Sequence, residues 1–140
     1  MNEYQFKNIL GFFVIGLHLL LISSLVVLFL MGGYHFNEFT TILAIVLPIT
    51  VIYVSAVVKH FVDISTCKQS AIRHLRMPYV VITMSLGFLF FGILICLVFL
   101  KAFNIGTITF EVLKVLIAIT ETGLGIYFSN LFFAYYERAK

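Results

Sequence analysis

The sequence predicts an all-α integral membrane protein: an antiparallel bundle of four transmembrane helices, with both termini cytoplasmic, that assembles as a homo-oligomer. Three observations lead there. Four long apolar stretches fill most of the 140-residue chain. The composition is 62% hydrophobic and 11% charged, whereas an ordinary soluble domain has about 25% charged residues. The basic residues concentrate on alternate connections, which is the asymmetry that orients spans in a bilayer.

The predicted spans cover residues 9–31, 40–62, 79–100 and 110–133 of a single domain. Each reaches the roughly 20 apolar residues that a helix needs to cross about 30 Å of hydrocarbon. The first apolar run is too long for a signal-peptide core and is followed by Met31-Gly32-Gly33-Tyr34, a loop start without a small-residue cleavage pattern. It is read as a retained helix. The second span holds Pro48, which removes one backbone hydrogen bond and favours a kink. Thr50 and Ser55 are the hydroxyls nearest to hand for the freed carbonyl. Pro78 opens the third span, a first-turn position where the missing N–H costs nothing.

Orientation follows from charge. Lys7, Lys59, Lys68, Arg73, Arg76, Arg138 and Lys140 lie on the side of the termini and the second connection, against Lys101 and Lys114 on the other. The richer side is expected to be cytoplasmic. Lys59, Lys68, Arg73 and Arg76 are assigned to lipid headgroups, and residues 70–76 to a short interfacial helix. Lys101 and Lys114 are expected to snorkel. Tyr and Phe supply the interfacial belt, because the chain has no Trp.

Ionisable residues inside a span carry most of the functional information, because they are costly in hydrocarbon and face protein or water. Glu121 sits near the middle of span four and His18 near the middle of span one. Measured from the cytoplasmic ends of their spans, they lie about 13.5 Å (His18) and about 18 Å (Glu121) deep. Side chains at those depths come within reach of each other, so the sequence permits a His18–Glu121 pair. A stripe of small or polar residues (Ala118, Glu121, Thr122, Gly125 and Ser129) marks one face of span four, suited to close helix approach. Thr41, Ala44, Pro48, Ser55 and Lys59 mark a similar face of span two. Ser85, Gly92 and Cys96 do so on span three. The residues assigned to a polar path are Glu121, His18, Thr122, Ser129, Pro48 and Ser55.

Other chemistry is thin. No phosphate-binding loop, dinucleotide glycine pattern, zinc-protease motif or Ser-His-Asp set occurs, and no enzyme, cofactor or metal site is expected. His60, Asp63, Cys67 and His74 fit no standard ligand spacing. Cys67 and Cys96 are read as unpaired. The positive charge is explained by headgroups and topology, so nucleic acid is not an expected partner. The expected partners are the lipid bilayer, further copies of the chain, and a cytoplasmic sensor or regulator.

The four-span outline, the run from Thr40 through Pro48 to Val58 leading into Ile72-Arg73-His74-Leu75-Arg76, and the tail Tyr135-Tyr136-Glu137-Arg138-Ala139-Lys140 resemble the RexB-like effectors of phage exclusion and bacterial defence. The resemblance implies an ion-conducting channel of the bacterial inner membrane that depolarises the cell when a partner detects infection. It carries over no functional residue. The leading reading from the residues is likewise a protein that forms or gates an ion-conducting path along span four near Glu121; the alternatives are a small proton-coupled transporter and a non-conducting anchor subunit of a larger complex.

Overall fold

A computed structural model describes residues 3–66, 77–106 and 108–133. These residues form four helices: α1 (Glu3–Leu30), α2 (Phe36–Thr66), α3 (Met77–Ala102) and α4 (Phe110–Phe133). No strand occurs among the described residues. α1, α2 and α3 run beyond the predicted spans at one or both ends. Their hydrogen-bond ladders do not stop where the apolar residues stop. Asn8–Leu30, Phe36–Lys59 and Val80–Ala102 are long and apolar enough to cross a membrane. α4 is not in that set; it carries Glu111, Lys114 and Glu121.

α1 packs against α2 and α3, and α4 packs against the same two helices. The bundle is therefore a square in which α1 and α4 face each other across a diagonal. The short α1–α2 connection makes those helices neighbours, as its length predicts. The longer α2–α3 link crosses the other diagonal. Residues 67–76 lie outside the described residues, and with them Lys68, Arg73, Arg76 and the expected interfacial helix.

Each helix contributes one stripe at three- and four-residue steps to the core. These are Leu10, Val14, His18, Leu21, Leu25 and Leu28 on α1 and Ile42, Val46, Thr50, Tyr53 and Val57 on α2. On α3 they are Thr83, Phe91, Leu94 and Val98, and on α4 Leu113, Ile117, Glu121, Leu124 and Phe128. The outer surface is apolar, with Leu19, Ile52, Phe88 and Ile119 all exposed, as suits a chain solvated by lipid tails.

The small-residue stripes predicted for the interior mostly point outward. Ala44, Pro48, Ser55 and Lys59 are exposed on α2, and Ser85, Gly92 and Cys96 on α3. On α4 the stripe splits: Glu121 is buried, Thr122 exposed, and the opposite-face residues Leu124 and Phe128 enter the core. A hydroxyl can close onto its own helix, and these do. Thr122 donates to the Ala118 carbonyl at 2.7 Å and Thr120 to Leu116 at 2.8 Å. A threonine satisfied in this way can face lipid. Thr50 likewise donates to the Val46 carbonyl at 2.9 Å, not to the carbonyl freed by Pro48.

One end of the bundle is closed by specific contacts. α1 ends in a Schellman motif, with Gly33 N–H donating to Leu28 O and Gly32 N–H to Phe29 O. Gly32 takes φ +81°, where a side chain would be strained. α3 ends the same way, with Ile105 N–H donating to Leu100 O and Asn104 N–H to Lys101 O. Here Asn104 takes the left-handed position at φ 52°. Glu38 accepts from His35 N–H at 3.1 Å, and Thr109 accepts from Val112 N–H at 3.4 Å, capping α2 and α4. The Tyr34 hydroxyl donates to Val98 O at 2.6 Å. Burial, with Glu38 nearby as a lesser cause, raises the Tyr34 hydroxyl above the usual tyrosine range and keeps it a donor. Lys101 pairs with Glu38 at 3.5 Å and Lys114 with Glu111 at 2.6 Å, so both lysines have carboxylate partners as well as any headgroups.

Gly33 is fixed by this closure: a Cβ there would lie 2.9 Å from Ala102 Cβ and 3.1 Å from the Ala102 carbonyl oxygen. Gly33→Val should cost about 1–3 kcal/mol through overpacking, read as a lower thermal midpoint in detergent micelles. Gly16→Ala, with nothing within 4 Å of the new methyl, should show no such loss.

Candidate functional site: a buried His–Glu–Tyr cluster

His18 and Glu121 take core positions in stripes that are otherwise apolar. Both are fully buried. His18 lies 12 residues before the end of α1 and Glu121 lies 11 after the start of α4. That sets both about 17–18 Å from the closed end. They meet across the α1–α4 diagonal, with His18 Nε2 3.4 Å from Glu121 Oε2.

The backbone determines which nitrogen carries hydrogen. His18 Nδ1 lies 2.9 Å from the Val14 carbonyl oxygen. A carbonyl only accepts, so Nδ1 must donate. Nε2 therefore faces the carboxyl either as the proton-bearing nitrogen of an imidazolium or as the acceptor of a carboxylic acid. In both cases one proton lies between Nε2 and Oε2 and the pair is neutral overall. Without that proton two lone pairs would oppose each other at the centre of the bundle. A single uncompensated charge at mid-span costs about 2.5–3.5 kcal/mol on insertion scales, and the shared proton avoids that cost.

Aromatic rings enclose the imidazole. Tyr53 of α2 lies 4.7 Å away by ring centroids, and Phe91 of α3 presents an edge at the same distance, 84° between planes. Tyr53 in turn meets Phe128 of α4 edge-on at 6.0 Å. All four helices thus contribute to one layer. Two polar atoms of this layer have no partner, Glu121 Oε1 and Tyr53 Oη. Such atoms normally cost about 1–3 kcal/mol each when buried.

Of the six residues assigned to a polar path, the structure brings together His18 and Glu121. Thr122, Pro48 and Ser55 lie on the outer surface. The side chain of Ser129 lies outside the described set, as do those of His60, Asp63, Cys67 and His74. Lys59 is exposed at the far end of α2, where a headgroup can reach it. Among the described residues no three His, Cys, Asp or Glu side chains converge as a metal site would require. Tyr53 was not predicted as a site residue. The signal was present: Tyr53 continues the Ile42, Val46, Thr50 stripe that faces the core, whereas Ser55 lies off it.

No protein family, curated protein or solved structure matches the chain.

Breaking the pair from one side should cost more than removing it. His18→Phe strands a buried carboxyl, with an expected loss of about 3–5 kcal/mol. Combining it with Glu121→Leu should recover most of that loss, giving a clear coupling energy in a double-mutant cycle of unfolding in micelles.

Proposed function

We propose that the chain is a multi-pass protein of the bacterial inner membrane that carries protons through the interior of each four-helix unit. In this reading α4 crosses the bilayer with the other three helices, and both termini and the α2–α3 link are cytoplasmic. The observation that carries it is the His18–Glu121 contact at mid-bundle, 3.4 Å between side chains that are both fully buried; one proton shared between them keeps the pair neutral. Ionisable groups buried at such depth are costly and are typical of proton relays. A pair of fully buried ionisable side chains suits a carrier, which exposes its site to one side at a time. Positive charge at the far end of α2 and along the α2–α3 link supports the orientation.

A depolarising channel, the function implied by the phage-exclusion resemblance, calls for a continuous aqueous file past Glu121. α1 and α4 would have to part along their diagonal to admit it. A ring of Glu121 or His18 around an axis shared between subunits would need both side chains to turn out of their own bundle.

The test uses purified protein in liposomes holding a trapped pH-sensitive dye, with a pH gradient imposed. The wild type should dissipate the gradient faster than protein-free liposomes, and Glu121→Gln should abolish that flux. Wild-type flux equal to that of empty liposomes would reject proton movement and leave a non-conducting anchor. Large conductance steps in planar bilayers, retained in Glu121→Gln, would favour a channel that does not use this pair.

A further inference from the structure

The two unpartnered atoms of the buried layer belong to side chains that both border His18. Tyr53 stacks on the His18 ring at 4.7 Å, and His18 touches the Glu121 carboxyl at 3.4 Å. Gly125, one helical turn beyond Glu121 and on the same side of α4, is the residue beside the hydroxyl. A methyl group placed there would sit 3.5 Å from Tyr53 Oη and meet nothing else within 4 Å. The hydroxyl therefore borders space that a glycine leaves clear, and the Glu121 carboxyl one turn earlier on the same helix has an oxygen that lacks a donor. Tyr53 is 5% exposed and Glu121 fully buried, so neither bulk water nor lipid headgroups satisfy them.

We propose that one internal water molecule binds between Tyr53 Oη and Glu121 Oε1, in the space beside Gly125. The water accepts from the tyrosine hydroxyl and donates to Oε1, meeting both unmet requirements with two hydrogen bonds. Two to four such partners are what a buried water needs. The consequence for the pair is specific. Oε1 becomes the accepting oxygen, so the proton shared with His18 stays on the Oε2 side. The water also extends the polar layer from α1 and α4 to α2. This deepens the proton-carrying reading and rests on it for its meaning in transport; the binding site itself rests on the geometry of Tyr53, Glu121 and Gly125.

Infrared difference spectra of the protein in liposomes, recorded in ordinary and heavy-oxygen water, test it. The wild type should show a narrow isotope-sensitive O–H stretch from a confined water. Tyr53→Phe, which keeps the ring contacts to His18 and Phe128, should lose that band. Gly125→Ala, whose methyl would take up the space beside the hydroxyl in ordinary contact at 3.5 Å, should lose or shift it. Glu121→Gln keeps an accepting oxygen and should retain the band while losing proton flux, which separates failure of the water site from failure of the transport reading. A band unchanged in both Tyr53→Phe and Gly125→Ala overturns the proposal. So does a thermal midpoint raised by sodium over choline in the wild type but not in Tyr53→Phe, since that would make the ligand a metal cation.

Discussion

The contact between His18 and Glu121 is the constraint that organises the bundle. Most other core positions are filled by aliphatic side chains that pack in many registers at similar cost. Leu, Val and Ile do not specify which helix sits opposite which, and in lipid they gain little from facing protein rather than acyl chains. A histidine and a glutamate at mid-span behave differently, because each is expensive everywhere except beside the other. Their meeting places α1 opposite α4 and fixes the rotation of both helices. It also brings Tyr53 and Phe91 into the same layer. Those neighbours hold the imidazole, while the Val14 carbonyl commits its other nitrogen. A polar pair used in this way supplies specificity more than stability.

The outer surface follows from the same distinction among polar residues. A hydroxyl one turn from a carbonyl on its own helix is already satisfied, and such a residue is indifferent to where it points. Thr40, Thr41, Thr120 and Thr122 all bond back to their own helices. Imidazole can close one nitrogen onto its own turn but not both. A carboxyl and a phenol cannot reach back in that way, so His18, Tyr53 and Glu121 go inward.

That distinction also sets how much was legible in the sequence. The four helices could be read from apolar runs alone, and three of them are long and apolar enough to cross a membrane. The nearness of His18 and Glu121 could be read as well, since rise per residue converts position into depth. The faces could not be read by counting small and polar residues. Ala44, Ser55, Ser85 and Thr122 look like interior residues by composition and lie outside, while Tyr53, to which the sequence reading gives no polar role, lies inside. Heptad-like continuation from Ile42 and Val46 would have placed Tyr53 correctly. The diagonal arrangement was beyond the sequence, because a long α2–α3 link permits more than one neighbour. The helix extensions past the apolar runs depend on backbone bonds that hydropathy does not register.

Three side chains and two helix turns tie together the end of the bundle where α2 begins. Glu38 is bound to Lys101 and Tyr34 to Val98, and both turns there are short. Pro48 then interrupts the α2 ladder between that fastened end and Tyr53. α2 is in this respect a hinged arm: its first turn is anchored, a weak point follows, and the aromatic ring that stacks on the imidazole rides beyond it. A bend at the proline would swing that ring while the base stays put.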